Sequence, residues 1–545
     1  MMVHICSKAT EDKPLVMKKA LVLVLLFSFL STATQAQDCP EGDEIIFQTQ
    51  EQIDDFLIDY PNCTSLLNVS IKEITVGSIS NLHGLSNLIT IEGNLKIDEN
   101  SNLENVEGLQ NLITIGGDLQ LADNESLENL AGLENLTTIG NTLRLGSNYV
   151  LTTIANLESL THIGSDIVIY NALALESLAG LEQLSSDTIN GSILFELLPL
   201  VEDITPLGHI TTVTGGYLLS GFNNLRDINP LAALQHVGRE LALHSSPLVT
   251  SLEPLSDLSD VGGLELINLP GITNLSGLEQ LVNVPLDITI SGLNGLTSLQ
   301  GLHNLATVGQ LSISVCNGLV VLSGLSALSV AGSLTVINND ALLNLNGMQL
   351  VSLNNFSAKG NSVLSDLLGL QAIDTLSGQL GIWENPSLFN LSGLENLTTV
   401  GYLALALNSL NDLSALSNLT TVLNLSISNC DSLINLSGLD NVTTVTQQVF
   451  IGYNDKLESL NGLTSLTEVG TSISILRNDN LKNLLGLSAL NSVGHNFKLY
   501  ENTRLESLHG THNIDFTGTQ SIEIYYNPLL TSCGQENICT YALNG

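Results

Sequence analysis

A short phrase recurs along almost the whole chain, every 22 to 26 residues. It reads GLSNLITIEGNLKI from Gly84, GLQNLITIGGDLQL from Gly108 and GLENLTTIGNTLRL from Gly132. The same slot returns as far as Gly510, which gives 19 slots in all. A fixed period of this size is typical of a solenoid, in which each unit buries its apolar face only against its neighbours.

The repeat unit at residues 132–157 shows how the phrase shapes the backbone. Residues 143–145, Leu-Arg-Leu, alternate apolar and polar side chains with period two, which predicts a short strand with both leucines inward. Residues 136–139 and 151–154 predict two further extended segments, with Gly and Asn at the corners. Stacked units predict a mainly β fold, a right-handed parallel β-solenoid of about 19 coils of about 24 residues with short end caps.

A second position of the repeat holds asparagine at the corner that follows the strand. It is occupied in this way by Asn100, Asn124, Asn148, Asn339, Asn361, Asn385, Asn408, Asn454, Asn478, Asn502 and Asn527. A buried asparagine can pair the main-chain groups that a tight corner leaves open, in its own coil and the next. Cys316 and Cys430 occupy the same position, so we expect buried structural thiols there rather than nucleophiles or metal ligands.

Composition and charge narrow the function. Aromatic residues make up 4% of the chain against 43% for all apolar residues, so Leu, Ile and Val must fill the interior. The formal net charge is −39, and removing residues 1–36, with four lysines and two acids, leaves −41. A polyanion with scattered Lys and Arg repels nucleic acid and anionic lipid. We interpret the charge as a solvated acidic surface, with attraction to a basic partner or to divalent cations as the alternative.

The amino terminus has the pattern of an export signal. Lysines at 18–19 precede the apolar run 20–30, and residues 34–36 supply the cleavage positions. The run is too short to span a bilayer, and no later apolar stretch is long enough. Residues 1–36 therefore predict a signal peptide, with Met17 as an alternative start. The mature chain is expected outside the cell or on its outer surface, without membrane insertion.

Both ends of the array are interpreted as caps, because an open solenoid end exposes apolar side chains and unpaired strand groups. We place an N-terminal cap at residues 37–80, the solenoid at 81–527 and a C-terminal cap at 528–545. Each cap is expected to close one end of the apolar interior.

A short helix is expected in the first cap. Residues 49–60 carry Ile53, Phe56 and Leu57 at helical spacing and are followed by Pro61, which cannot continue a helix. Such a helix would lie over the first coil and cover its apolar end.

Four cysteines lie near the two ends of the mature chain. Cys39 and Cys63 flank the amino-terminal region, and Cys533 and Cys539 lie at the other end. Two disulfide bridges that close the two ends fit an oxidising compartment.

The strand motif resembles the leucine-rich repeat, L-x-x-L-x-L-x-x-N, which accepts Asn or Cys in its last position. The whole unit is similar to the receptor L-domain of extracellular ligand-binding lobes, best seen in LGHITTVTGGYLLSGFNN at residues 207–224. The layout resembles long L-domain repeat proteins exported by Bacteroidota-type bacteria. Those open with a Cys…Pro-Asn-Cys segment, here Cys39 to Cys63, and close with Ser-Cys-x4-Ile-Cys, here Cys533 to Cys539. The resemblance implies an exported solenoid and does not imply an activity.

Candidate ligand-binding residues lie in the outward columns of the predicted sheet. Val168, Leu194 and Leu218 occupy corresponding positions in successive coils and predict an apolar patch, unless a loop covers it. Tyr170 lies in the next outward column. Trp383 is the only tryptophan, and it either stacks on a sugar ring or packs at a strand edge.

Metal and cofactor sites are not predicted. His509 and His512 form the only close histidine pair, and no third ligand completes a zinc site. The corners at 98–100 and 338–340 offer Asp, Glu and Asn oxygens, so calcium is kept as the alternative to no cofactor at all. We find no catalytic constellation and expect a protein that is not an enzyme.

Three functions fit these features. The first is an exported recognition or adhesion scaffold, with an extracellular protein or a glycan as partner and no nucleic acid. The second is a parallel β-helix enzyme that degrades an acidic polysaccharide. The third is a structural component of a surface layer or matrix.

Overall fold

A computed structural model of the chain describes residues 39–531 together with 535, 537 and 538. These residues wind into one parallel β-solenoid of about 20 turns of about 24 residues, and they include one α-helix. The predicted fold class is confirmed, and its handedness stays a prediction. The expected signal peptide, residues 1–36, lies outside the described residues.

Most strands belong to one 26-stranded sheet, in which each strand pairs in parallel with the strand of the next turn. Up to residue 220 its strands are Ile45–Phe47, Val69–Ile71, Leu95–Asp98, Leu119–Ala122, Leu143–Gly146, Ile167–Tyr170, Thr188–Ile189, Ile193–Glu196, Thr212–Val213 and Tyr217–Ser220. Longer strands follow, namely His236–His244, Asp260–Ile267, Asn283–Ser291, Thr307–Ser314, Val330–Ile337, Ser352–Lys359, Thr375–Trp383, Thr399–Ala406 and Thr421–Ser428. The last strands are Thr444–Val445, Gln448–Gly452, Glu468–Val469, Ser472–Leu476, Ser492–Val493, Asn496–Tyr500 and Ser521–Tyr525.

The second predicted segment of the repeat forms a separate sheet only in the first turns. This five-stranded parallel sheet consists of Ser65–Leu66, Thr90–Ile91, Thr114–Ile115, Thr138–Ile139 and His162–Ile163. Inward residues Ile139 and Leu143 are four apart there, and a corner separates their strands. In the longer strands one strand holds both inward residues, whether they are three apart, as Val308 and Leu311 are in Thr307–Ser314, or four apart with a shift in register, as Val237 and Leu241 are in His236–His244.

The third predicted segment is wrong as a strand. Residues 151–154 have no strand pairing, although Leu151 and Ile154 are both fully buried. Inward residues three apart do not fit the period of two that a strand requires. The return path of each turn instead uses turns and 3₁₀ helices, which are His83–Leu85, Ala155–Leu157, Thr205–Leu207, Asn229–Ala233, Glu253–Asp257, Ser414–Leu416 and Leu485–Leu487.

The glycine that begins the repeated phrase is required by a close approach between turns. Gly301 has φ +115°, and a β-carbon there would lie 1.8 Å from the carbonyl oxygen of Leu275 in the preceding turn. A side chain at Gly301 would therefore force these adjacent turns apart. In several turns that form a 3₁₀ helix, the same position instead holds Asn156, Pro206, Pro230, Pro254 or Ala415.

The predicted N-terminal helix is confirmed as Gln50–Asp59. Thr49 caps the helix. Its hydroxyl oxygen accepts a hydrogen bond from the main-chain N–H of Gln52, and the side-chain oxygen of Gln52 accepts one from the main-chain N–H of Thr49. Ile53 and Phe56 are buried against the first turn, whereas Leu57 is 38% exposed. The helix therefore contacts the solenoid along a narrower stripe than the three-residue pattern predicted.

A disulfide bridge joins Cys39 to Cys63, as predicted, and encloses the cap. Cys533 and Cys539 lie outside the described residues. Near the other end, the side-chain amide of Asn537 donates to the carbonyl oxygens of Thr511 and Ile514, at 2.6 and 2.9 Å. The described part of the carboxy-terminal segment therefore contacts the last turns.

The asparagine ladder is confirmed. Asn361 is fully buried, its amide nitrogen donates to Val336 O in the preceding turn, and its main-chain N–H donates to Asn385 Oδ1 in the next turn. Cys316 and Cys430 are buried in the same slot, and the main-chain N–H of Cys316 donates to Asn339 Oδ1. Each polar side chain of the slot thus joins two neighbouring turns.

The ladder is interrupted in the middle of the rod. Six successive turns fill the slot with a buried Ala172, Leu198, Phe222, Ser246, Leu269 and Leu293. The first three of these turns also carry Val168, Leu194 and Leu218 on the outer face. This segment therefore differs from the rest of the solenoid both inside and outside.

Candidate ligand-binding surfaces

The three residues of the predicted apolar patch lie side by side on the large sheet. Val168 is paired in register with Leu194, and Leu194 with Leu218, between Arg144 on one side and Ala242 on the other. Neighbouring strands lie about 4.8 Å apart, so these outward side chains touch. Val168 is only 6% exposed, whereas Leu194 and Leu218 are half-buried. The part of the patch that a ligand can reach is therefore centred on the two leucines.

Tyr170 and Trp383 both lie flat on the outer face, each over a glycine. A β-carbon at Gly146 would lie 2.2 Å from the Tyr170 ring, and one at Gly381 would lie 2.0 Å from the Trp383 ring. Both rings are partly exposed. Tyr170 sits beside the patch, but Trp383 is seven turns beyond Leu218, which is roughly 34 Å at the spacing of strands. The structure does not bring Trp383 together with the other predicted residues.

A shallow groove of neutral side chains lies near Trp383, and sequence analysis missed it. Its volume is about 350 Å³, and Asn355, Gln379, Tyr402, Asn424 and Gln447 line it. The Asn424 amide donates to Gln447 Oε1 at 2.9 Å, and Tyr402 is 40% exposed. Carboxamides both donate and accept hydrogen bonds, so the groove can pair with hydroxyl or amide groups of a ligand.

A larger groove of about 800 Å³ crosses the last turns and was also missed. Tyr453, Arg477, Glu501 and Tyr526 follow their strands directly in successive turns and line the groove. Each has a positive φ, at 59°, 51°, 56° and 55° respectively. Because the same left-handed corner recurs in each turn, the four side chains form one column along the rod. The column lies directly after the strands, outside the alternation from which the outward residues were predicted.

The groove contains an internal cation and a cluster of tyrosines. The Arg477 guanidinium lies 5.3 Å from the centre of the Tyr453 ring, and its Nε contacts Glu501 Oε2. Tyr500 and Tyr525 stack with ring centres 4.8 Å apart, and Tyr525 meets Tyr526 edge to face at 5.3 Å. Tyr526 is 74% exposed.

The free thiols have no reactive environment. Burial raises the pKa of Cys316 to about 11 and that of Cys430 to about 12. Each thiol donates at 3.4 Å to a carbonyl oxygen at the end of its own strand, Ser314 O and Ser428 O respectively. Both cysteines are therefore structural members of the ladder, as expected.

The corners considered for calcium use their oxygens within the protein. Burial raises the pKa of the Asp98 carboxyl. This carboxylate accepts a hydrogen bond from the side-chain amide of Gln120 at 2.7 Å. Asn100 Oδ1 accepts a hydrogen bond from the main-chain N–H of Glu73. Asn339 Oδ1 accepts the main-chain N–H of Cys316. Within residues 39–531, 535, 537 and 538, no three His, Cys, Asp or Glu side chains gather as a metal site.

Comparisons with known proteins agree with the repeat architecture. The family described as the BspA type Leucine rich repeat region matches residues 381–482, in six copies. No curated protein sequence is significantly similar to the chain. Among the helices that the structure describes, none has the length and apolar character needed to cross a bilayer.

Several solved structures are also similar. An internalin (inlF) from Listeria monocytogenes is 17% identical, with 68% of this chain and 89% of that chain covered and a TM-score of 0.31. The functional domain of InlJ from Listeria monocytogenes is 16% identical, with 74% of this chain and 72% of that chain covered and a TM-score of 0.31. The plant peptide hormone receptor RGFR1, in complex with RGF2, is 13% identical, with 91% of this chain and 90% of that chain covered and a TM-score of 0.25. The chain is a leucine-rich-repeat-like solenoid, with residues 381–482 similar to the BspA-type repeat region.

Proposed function

We propose that the protein is an exported recognition or adhesion scaffold that binds an extracellular protein or glycan on the outer face of its large sheet and performs no catalysis. The observation that carries this proposal is the apolar patch centred on Leu194 and Leu218. Contiguous solvent-accessible apolar side chains often mark contact sites. Solenoids of stacked repeats also provide extended binding surfaces as their usual role.

Other features support the extracellular setting and the absence of chemistry. The Cys39–Cys63 disulfide fits an oxidising compartment. Arg144 borders the patch and lies between Gln120 and Val168. The exposed Glu196 borders it in the next column, between Tyr170 and Ser220, so neither charged residue is paired with one of opposite sign on an adjacent strand. A polysaccharide-degrading site needs acids and bases on adjacent turns, so this arrangement favours binding over hydrolysis.

Ligand arrays with a patch variant test the proposal. The exported chain is applied to an array of neutral and acidic oligosaccharides and to a panel of purified secreted proteins. The Leu194→Ser/Leu218→Ser double variant is compared with Ile434→Ser, which changes an equally apolar side chain, 56% exposed, on a return segment. We expect the affinity for the strongest ligand to fall about tenfold in the double variant, because a loss of roughly 1.4 kcal/mol of contact energy lowers affinity by that factor. The affinity of the control variant should be unchanged. Equal signals from both variants would overturn the patch as the binding face.

A further inference from the structure

We propose that the groove of the last turns, formed by the column Tyr453, Arg477, Glu501 and Tyr526, binds a guanidinium or ammonium side chain of a cationic polypeptide segment. The groove lies ten turns from Leu218, which is roughly 48 Å at the spacing of strands. This site is therefore independent of the Leu194–Leu218 patch, and its test does not depend on that patch.

The protein's own cation shows the chemistry that the groove offers. Arg477 lies over the Tyr453 ring at 5.3 Å and contacts Glu501 in the next turn. A guanidinium held by a ring face on one side and a carboxylate on the other is the arrangement that cation–π attraction and ion pairing favour together. The next member of the column is Tyr526, the most exposed tyrosine of the groove at 74%, and no Lys or Arg of the described residues lies over its ring.

The open ring packs against a second tyrosine. Tyr526 meets Tyr525 edge to face at 5.3 Å, and Tyr525 is stacked on Tyr500 at 4.8 Å. A ring oriented by such packing loses less conformational entropy on binding than an unpacked side chain does.

The charge of the groove is complementary to a cation. Asp455, Asp479 and Glu501 line it against a single positive charge, Arg477, which Glu501 already pairs. Asp479 keeps its carboxylate in the groove, where Thr503 donates to it at 3.0 Å. The groove therefore presents two carboxylates that no lysine or arginine in its lining neutralises.

Two lysines around the groove are engaged by their own neighbours. Lys482 pairs with Glu458 at 2.9 Å, and Lys498 pairs with Glu523 at 3.0 Å. The net charge of −39 adds a long-range attraction that draws positive partners to the rod. A cationic peptide fits these observations better than a metal ion, because no three acids gather as a metal site in the described part of the chain.

Fluorescence anisotropy with short labelled peptides tests the site. The probes are hexa-arginine, hexa-lysine and an uncharged hexa-glycine, with a labelled neutral oligosaccharide as the competing class. We expect the two cationic probes to bind the full chain and hexa-arginine to bind more tightly, since a planar guanidinium stacks on a ring better than an ammonium does. Binding of the oligosaccharide to this groove in preference to the peptides would overturn the proposal.

Two variants and a matched control separate the groove from general attraction to an acidic surface. Tyr526→Ala removes the open ring, and we expect it to weaken hexa-arginine binding about 2- to 5-fold, the range of a cation–π contact at an exposed ring. Asp479→Asn keeps the shape and should weaken binding in the same direction. Tyr149→Ala changes a tyrosine that is 49% exposed in a distant turn and should have no effect. Equal effects of Tyr526→Ala and Tyr149→Ala would contradict the proposal.

Discussion

Asn361 Oδ1 accepts the main-chain N–H of Asn339, one turn earlier, at 3.0 Å, and Asn361 Nδ2 donates to Val336 O in that same turn at 3.0 Å. A single side chain therefore pairs two main-chain groups of its neighbour, both in the fully buried interior. Because unpaired buried groups are costly, this relationship predicts how tightly the turns depend on each other.

Asn361→Ala is expected to lower the free energy of unfolding by about 2–4 kcal/mol, because it leaves the Asn339 N–H and the Val336 carbonyl unpaired. Asn396→Ala is the matched control, because the Asn396 side chain donates a single, solvent-exposed hydrogen bond, to Gln371 O. That change should cost less than about 1 kcal/mol. Urea unfolding of both variants measures the difference, and similar losses would contradict a special role for the ladder.

Cys316 offers a second test of the same slot. Its sulfur accepts the main-chain N–H of Leu293, and its thiol donates towards Ser314 O at 3.4 Å. Cys316→Asn should retain or raise stability by up to about 1 kcal/mol, because asparagine makes stronger bonds in the same geometry. Cys316→Val removes the acceptor at similar volume and should cost about 1–3 kcal/mol. If valine proves as stable as asparagine in thermal unfolding, polar pairing does not stabilise this turn.

Glu73 predicts a pH dependence of the N-terminal cap. Partial burial raises the pKa of this carboxyl, but hydrogen bonds from Gly77, Ser101 and Ile79 outweigh burial and lower the pKa from 4.5 to about 2. A carboxyl with a depressed pKa stabilises the fold above its unfolded value, and that contribution is lost as the pH falls.

The wild-type chain should therefore be more stable than Glu73→Gln above about pH 4.5, and the difference should shrink between about pH 4.5 and 2. Urea midpoints of the two proteins across this range measure the difference. The control is Glu92→Gln, because the exposed Glu92 carboxylate accepts a single hydrogen bond, from the Ser65 hydroxyl. A difference between wild type and Glu73→Gln that stays constant down to pH 2 would contradict the assignment.

Tyr217 is the inward residue at the start of its strand, is 1% exposed, and its hydroxyl makes no hydrogen bond in the structure. Burial raises the pKa of this phenol, so the hydroxyl stays protonated. Tyr217→Phe removes an unpaired polar atom and keeps the ring, and should stabilise the protein by about 1 kcal/mol. Tyr402→Phe, at a 40% exposed ring, should change stability by less than about 0.5 kcal/mol. Destabilisation by Tyr217→Phe in calorimetry would show that the hydroxyl has a partner.

Much of the architecture was predictable because one pattern recurs. The alternation at 143–145 predicted a strand, and the corner asparagines predicted a ladder; both are confirmed. The segment 151–154 was wrongly predicted as a strand, because its buried residues are three apart, a spacing that fits a turn and not the period of two of a strand.

The candidate surfaces were predictable only in part. Leu194 and Leu218 were found because strand alternation places them outward at corresponding positions. The column from Tyr453 to Tyr526 was missed because it lies after the strand, where only the recurring positive φ aligns the side chains from turn to turn. Backbone conformation of this kind in Tyr, Arg or Glu is not predictable from residue type, since these residues seldom adopt it.

Cysteine footprinting tests most directly the claim that the outer sheet face around Leu194 is the recognition surface. Leu194→Cys and Ile434→Cys are labelled with a maleimide in the presence and absence of the strongest ligand from the arrays. Cys316 and Cys430 are buried with raised pKa values and should not react in the folded chain. If the ligand binds this face, it should slow labelling at position 194 and leave labelling at position 434 unchanged. Protection of 434 with unchanged labelling at 194 would contradict that claim.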